Sequence, residues 1–144
     1  MKKVIAALLV LVLIAGCVKK ETIYKENLEG IWLVYKYLFR NTDKSLQFQT
    51  QFPNYTITFT KNGTFTEFYT DPDSTYIDGT YTFIDNDEKI HLENTYNTFT
   101  IDTAGDTTWT PHLQEREYTI FNLTKDHVQL RDDSTQLYMN KKPQ

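Results

Sequence analysis

The sequence predicts an all-β domain, an up-and-down antiparallel β-barrel of eight or nine strands. Apolar and polar residues alternate along most of the chain, which places successive side chains on opposite faces of a sheet. Ten Tyr, nine Phe and two Trp among 144 residues favour strands over helices. The links between strands are mostly short, which favours a meander closed into a barrel. A β-sandwich is the alternative fold.

Residues 1–16 have the layout of a secretory signal peptide. Two lysines precede an apolar run at 4–13, and small residues follow. The run is too short to cross a bilayer, which takes about 20 residues. Residues 14–17, Ile-Ala-Gly-Cys, resemble the bacterial lipobox, and this resemblance implies that Cys17 is acylated and becomes the first mature residue. An ordinary cleaved signal peptide is the alternative.

The lipobox resemblance implies a membrane partner and a location in the cell envelope. Two or more acyl chains on Cys17 hold a protein stably at a membrane. Val18 favours the outer membrane of a Gram-negative bacterium, because an Asp after the cysteine is typical of inner-membrane retention. Residues 17–27 form a polar tether that reaches at most about 35 Å. The barrel domain, predicted at 28–144, therefore lies close to the membrane surface.

The charge and the cysteine content exclude several classes of function. Cleavage after residue 16 removes two of the 15 Lys and Arg residues and none of the 19 Asp and Glu residues, so the net charge changes from −4 to −6. An acidic domain is not typical of nucleic-acid binding. Cys17 is the one cysteine of the chain, and its acylation leaves no thiol for a disulfide or for redox chemistry.

The predicted strands begin after residue 28, and the first two are separated by the longest link. This link, residues 41–53, is polar. Tyr55, Ile57 and Phe59 then alternate with threonines, as expected of a half-buried strand. Residues 61–63 contain Asn-Gly, the dipeptide that tolerates the positive φ angles of a tight hairpin turn. The second and third strands are therefore predicted to form a hairpin.

The remaining strands follow the same pattern to the end of the chain. Each is bounded by a turn rich in Asp, Asn or Gly. The predicted turns are 71–74, 85–87, 104–106, 124–126 and 132–134. No segment has sustained helical periodicity apart from a single turn near 26–30.

Two segments resemble lipocalins and the lipocalin-like lipoproteins of Gram-negative bacteria. Residues 28–34, Leu-Glu-Gly-Ile-Trp-Leu-Val, resemble the Gly-x-Trp opening of that family, with Gly30 and Trp32 at the motif positions. Residues 79–83 resemble its mid-barrel Gly-x-Tyr strand. The resemblance implies that Trp32 plugs the closed end of the barrel and that the long first link covers the open end. It also implies that Arg131 stacks on Trp32 as a cation–π pair.

The resemblance implies that the barrel binds a small apolar or amphipathic molecule inside it or at its mouth. The predicted ligand-binding residues are Trp32, Tyr55, Ile57, Phe59, Tyr81, Phe83, Phe99 and Tyr118. Barrels of eight strands can also be filled by their own side chains. The alternative is therefore a filled barrel that binds or inhibits an envelope protein through residues 41–53 and through the outward aromatics Tyr35, Tyr37 and Phe39.

The sequence contains no recognisable catalytic or metal-binding set. His91, His112 and His127 are not arranged at metal-ligand spacing. Glu115 and Glu117 share one face of a strand, whereas paired catalytic carboxylates usually come from different elements. No serine follows a nucleophile turn. The sequence therefore predicts a protein that is not an enzyme and that carries no metal or cofactor.

Overall fold

The computed structural model describes residues 24–71, 73–101, 103–105 and 107–143. The predicted signal peptide, the lipidation site Cys17 and most of the tether lie outside the described residues. Neither of the helices within these ranges is long and apolar enough to cross a membrane.

Nine antiparallel strands dominate the described chain. The strands are β1 (Gly30–Phe39), β2 (Thr42–Asp43), β3 (Thr56–Phe59), β4 (Thr64–Asp71), β5 (Asp73–Ile84), β6 (Lys89–Ile101), β7 (Thr107–Leu123), β8 (His127–Arg131) and β9 (Thr135–Lys141). Their order in the sheet is β2-β1-β3-β4-β5-β6-β7-β8-β9, and β1 also pairs with β9. This pairing closes eight strands into a barrel, with β2 added at one side of β1. The predicted up-and-down barrel is confirmed, and the sandwich alternative is wrong.

Two short helices flank the first strand. Residues 24–28 are helical (α1), close to the single turn predicted near 26–30. A second helix, α2 (Ser45–Gln51), lies within the segment 41–53 that was predicted to be a polar loop. Seven residues are too few for a helical period to stand out from the surrounding polar sequence.

The hairpin turns follow the predicted chemistry. Gly63 has a φ of +79°, as the Asn-Gly turn between β3 and β4 requires. In the turn between β5 and β6, residues 85–87 (Asp-Asn-Asp) all have positive φ, a region that Asn and Asp tolerate better than other side chains do.

The closed end of the barrel, where β1 begins, is built around Trp32. This side chain is fully buried, and its Nε1 donates a hydrogen bond to the carbonyl oxygen of Leu28 at 2.6 Å. Lys141 pairs directly with Trp32 across the β1–β9 ladder. The Lys141 Nζ lies 5.0 Å from the indole centroid and donates to the Asn27 carbonyl oxygen at 2.9 Å. These contacts join the end of the tether to the first strand, β1, and to the last strand, β9.

The predicted stacking of Arg131 on Trp32 is wrong. Strand β8 runs from the closed end to the open end, so its last residue lies far from the start of β1. The Arg131 guanidinium carbon instead lies 5.6 Å from the ring centroid of Phe121. Lys141 provides the cation that contacts Trp32.

Side chains fill the barrel interior toward its closed end. The buried apolar residues are Leu28, Trp32, Val34, Ile57, Phe59, Phe65, Tyr81, Ile90, Leu92, Tyr118, Val128, Leu130, Leu137 and Met139. Gly79 makes room for one of them, because a Cβ added there would lie 2.5 Å from a ring carbon of Phe65. The deep interior is therefore a packed core.

A β-bulge changes the phase of β1. The register with β9 shifts between Val34 and Lys36, so that Tyr37 turns inward and packs against the core. The prediction that Tyr37 faces outward is therefore wrong, because strict alternation does not survive an inserted residue. Tyr35 is exposed, as predicted. Phe39 lies two residues after Tyr37 and shares its phase, so the prediction that it faces outward is also wrong; it is 39% exposed because β1 ends there.

Candidate ligand site at the open end of the barrel

Helix α2 covers one side of the open end. The Phe48 ring stacks on Tyr37, with centroids 4.6 Å apart, and meets Tyr55 edge-on at 5.2 Å. The helix start is fixed to β1 because the Tyr37 backbone N–H donates to Ser45 Oγ at 2.9 Å. Ser45 also donates to the Asp43 carboxylate, and these hydrogen bonds lower the pKa of Asp43 below its usual value. The segment 41–53 therefore packs on the mouth, as the resemblance implied.

Aromatic side chains line this side of the mouth. They are Tyr37, Phe48, Phe52, Tyr55 and Tyr69, and each contacts at least one other member at a centroid distance of 6.1 Å or less. A cleft of about 290 Å³ lies between α2 and β1, lined by Tyr37, Phe39, Phe48 and Phe52 with Lys44, Gln47 and Gln51. The mouth thus offers apolar surface to a ligand.

A buried ion pair lies below these aromatics. Glu67 on β4 is 3% exposed, and its Oε1 is 2.5 Å from the Arg116 Nη2 on β7. The Arg116 side chain is 22% exposed, so solvent reaches part of Arg116, whereas the Glu67 carboxylate is enclosed. The Arg116 guanidinium carbon lies 5.8 Å from the Phe65 ring centroid, which marks the top of the packed core.

Two tyrosines and an asparagine surround this pair, and together the five residues form what we call the polar cluster: Tyr55, Glu67, Asn94, Arg116 and Tyr118. Burial raises the pKa of Tyr55 well above its usual value, and the Glu67 charge adds to this effect. Burial also raises the pKa of Tyr118 despite the opposing Arg116 charge. Both phenols are therefore neutral. Burial opposes the Arg116 charge, but the Glu67 carboxylate outweighs it and raises the pKa of Arg116.

The polar cluster contains hydrogen-bond donors without partners. Asn94 is 3% exposed, and its Oδ1 accepts from Arg116 Nη2 at 3.3 Å. Among the described residues, Asn94 Nδ2 and Arg116 Nε have no hydrogen-bond partner. Glu67 Oε1 also lacks an aligned hydrogen bond, although its ion pair with Arg116 satisfies its charge. More than 90% of buried polar groups in proteins have a hydrogen-bond partner, so these spare donors make the polar cluster a candidate binding site.

Asn94 lies where the barrel wall divides. The last pair between β5 and β6 is Gly79 with Asn94, whereas β6 continues to pair with β7 as far as Ile101 and Thr107. Beyond Asn94 the two strands therefore extend as an arm that β5 does not join. The polar cluster lies at the base of the opening that this separation creates.

The structure brings two of the eight predicted ligand-binding residues to the polar cluster, Tyr55 and Tyr118. Phe83 is half-buried against Tyr81, and the side chain of Phe99 lies outside the described part. The four others are each at most 3% exposed and belong to the packed core: Trp32, Ile57, Phe59 and Tyr81. They support the site from below.

Sequence reasoning missed the charged and amide members of the cluster. Glu67 lies two residues after Phe65, Asn94 two residues after Leu92, and Arg116 two residues before Tyr118. Polar residues in the inward phase of a strand were the available signal. Their partners could not be assigned, because the pairing register is set by the whole barrel.

The outer wall carries a second group of chemically active side chains. Ligand atoms of His91, Glu93 and Glu115 lie within 4.8 Å of one another, and Glu93 is directly opposite Glu115. Both glutamates are exposed, and His91 Nδ1 is 3.6 Å from Glu117 Oε1. Water solvates these carboxylates, and no buried residue of the described chain organises them into a metal centre.

Comparison with other proteins identifies the fold. Neither a protein-family profile nor a curated protein matches the sequence. The structure is similar to a lipocalin-like protein from Bacteroides uniformis ATCC 8492, with a TM-score of 0.56 and 15% identity over 81% of this chain and 99% of that one. It is also similar to an uncharacterized protein from Bacteroides eggerthii DSM 20697, with a TM-score of 0.53 and 14% identity over 80% and 99% of the chains. The barrel is therefore lipocalin-like in fold.

Proposed function

We propose that this protein is a lipid-anchored, lipocalin-like lipoprotein of the cell envelope that binds a small amphipathic molecule at the open end of its barrel. The observation that carries this proposal is the polar cluster. Two buried donors that have no partner among the described residues, Asn94 Nδ2 and Arg116 Nε, lie below an aromatic mouth.

The two layers of the mouth match the two parts of an amphipathic ligand. Small-molecule sites are mostly apolar, with a few polar groups that fix the orientation of the ligand. Phe48, Phe52 and Tyr69 supply apolar surface, and the polar cluster supplies hydrogen bonds. Glu67 is held in its ion pair with Arg116, which supports binding rather than acid–base catalysis.

The membrane anchor is part of the same proposal. The lipobox resemblance at 14–17 supports acylation of Cys17, and Val18 supports the outer membrane of a Gram-negative bacterium. The tether of 17–27 then keeps the closed end of the barrel, where Asn27 contacts Lys141, within about 35 Å of the lipid surface. The acidic charge of the chain argues against nucleic acid as a partner.

Native mass spectrometry of the protein extracted from membranes tests the proposal. We expect a bound molecule of constant mass, which is lost when Phe48 and Phe52 are both replaced by alanine. The matched control is Leu46→Ala, because Leu46 is on the same helix and 81% exposed. Protein that is free of ligand, and that takes up no fluorescent amphiphile such as N-phenyl-1-naphthylamine, would overturn it.

An envelope protein that binds a partner is the second candidate, and the arm of β6 and β7 favours it. Tyr96 is 47% exposed and Leu113 58% exposed, on a segment that no third strand joins within the described residues. Two-stranded ribbons are marginally stable alone. In this case a photo-crosslinker at position 113 captures an envelope protein in cells, whereas one at Phe121, nearer the closed end of β7, does not.

A further inference from the structure

We infer that the polar cluster selects an uncharged head group with an acceptor oxygen, such as an amide, an ester or a hydroxyl, over a carboxylate or an ammonium group. This inference rests on the proposed function and names the ligand class of the same site.

The orientation of Asn94 shows which kind of atom the site lacks. An arginine side chain can only donate hydrogen bonds, so the atom of Asn94 that faces Arg116 Nη2 at 3.3 Å is the carbonyl oxygen. The amide nitrogen is then directed away from Arg116 and has no partner among the described residues. Arg116 Nε is a second spare donor. Both groups call for an acceptor, whereas the third atom of the cluster without an aligned hydrogen bond, Glu67 Oε1, is already held by the Arg116 charge.

The charge balance disfavours a charged head group. Arg116 is the cation of the polar cluster, and Glu67 already neutralises it at 2.5 Å. A carboxylate ligand would place a second negative charge beside a glutamate that is 3% exposed, and two carboxylates that share a site repel each other. An ammonium group would instead face the Arg116 guanidinium. Such repulsion is strong where water is scarce.

The packing fixes the direction in which the ligand lies. Phe65 is 1% exposed and lies directly below Arg116, so the head group cannot go deeper into the barrel. The apolar part of the ligand therefore extends outward, toward Phe48 and Tyr55. The cleft of about 290 Å³ beside α2 is lined by Phe48 but by no residue of the polar cluster, and Phe48 links the two because its ring contacts Tyr55. The cleft volume is at the small end of ligand-site volumes, which favours a short chain.

A matched series of ligands tests the inference by calorimetry. The series is octanamide, octanol, octanoate and octylamine, and the protein is the mature chain with Cys17→Ser to remove the lipid. We expect octanamide to bind at least tenfold more tightly than octanoate or octylamine, with octanol between them. Asn94→Leu keeps the branched shape of the side chain but removes the donor, so the preference for the amide should fall below threefold. Asn97→Leu, on an exposed position of β6, should keep it.

The outcomes separate the inference from the proposed function. Octanoate or octylamine binding as tightly as octanamide would overturn the inference and leave ligand binding intact. An unchanged preference in Asn94→Leu would show that the Asn94 amide does not select the head group, and would also overturn the inference. If Asn94→Leu does not fold by circular dichroism, Arg116→Lys reports the loss of the Nε donor while keeping the charge. If no member of the series binds and the extracted protein carries no ligand, the proposed function itself fails.

Discussion

Removal of either partner of the Glu67–Arg116 ion pair should destabilise the protein, and by unequal amounts. Arg116→Met leaves a carboxylate that is 3% exposed without a cation. Loss of one partner from a buried pair costs about 3–5 kcal/mol in the free energy of unfolding. We expect Arg116→Met to lie in that range, because the Glu67 charge cannot reach water.

Glu67→Gln should cost less, about 1–2 kcal/mol. The guanidinium that remains belongs to a side chain that is 22% exposed, so water at the mouth solvates part of its charge. The glutamine carbonyl also accepts a hydrogen bond from Arg116, and one hydrogen bond to a charged group contributes about 1.5–3 kcal/mol.

The double variant Glu67→Leu with Arg116→Met separates pairing from burial. Replacement of a buried ion pair by apolar residues of similar size is often neutral or stabilising. We expect this variant to unfold within about 1 kcal/mol of the unmodified chain. Urea denaturation followed by circular dichroism measures all three variants. Equal costs for the two single variants, or a cost below about 1 kcal/mol for Arg116→Met, would refute the description of Glu67 as enclosed.

Three further predictions concern the core, the tyrosines and the anchor. Gly79→Ala should lower the free energy of unfolding by about 2 kcal/mol or more, because its Cβ would overlap the Glu93 carbonyl oxygen and the Phe65 ring, and overpacking costs about 1–3 kcal/mol; an unchanged urea midpoint would contradict this. Burial raises the pKa of Tyr55 and Tyr118 above the usual 10.0, so the folded protein keeps two protons that the unfolded chain loses. Stability is therefore complete below about pH 10 and falls as the pH rises further; the prediction fails if absorbance at 295 nm shows every tyrosine of the native protein ionising near pH 10. Cys17→Ala should abolish incorporation of labelled fatty acid and release the protein from the membrane fraction, and continued labelling would show that Cys17 is not the lipidation site.

The strands could be predicted because their signals, the alternation of apolar and polar residues and the turn residues between them, are local in the sequence. Tyr55, Ile57 and Phe59 alternate with threonines, and the Asn-Gly turn after them fixes where the chain reverses. Each such signal lies within a few residues, so no knowledge of the distant chain is needed. The same signals repeated to the C-terminus predicted a closed meander.

Features that depend on the pairing register of the strands or on a β-bulge could not be predicted from the sequence. The bulge after Val34 reverses the facing of Tyr37, and nothing in the residues themselves marks it. Lys141 rather than Arg131 contacts Trp32, because the choice depends on which strand end closes the barrel against β1. The family resemblance correctly implied that a cation contacts Trp32, but it assigned this role to the wrong residue.

The candidate site depends on contacts between strands that are far apart in the chain. The alternation of apolar and polar residues places Glu67 and Asn94 on the inward faces of their strands. A polar residue on that face, however, has many possible partners on other strands. Only the barrel as a whole brings Arg116 between them. The aromatic side of the mouth could not be predicted for a different reason. Phe48 belongs to α2, which is too short to show helical periodicity in the sequence.

Nuclear magnetic resonance of the Asn94 side-chain amide tests the central claim most directly. With ¹⁵N-labelled mature protein carrying Cys17→Ser, the Asn94 amide signal is assigned by its disappearance in Asn94→Leu. Titration with octanamide should shift this signal until it saturates, because the free Nδ2 then donates to the ligand oxygen, whereas the Asn97 amide signal should stay in place. Saturable shifts confined to residues outside the mouth, with the Asn94 signal unmoved, would contradict the assignment of the polar cluster as the ligand site.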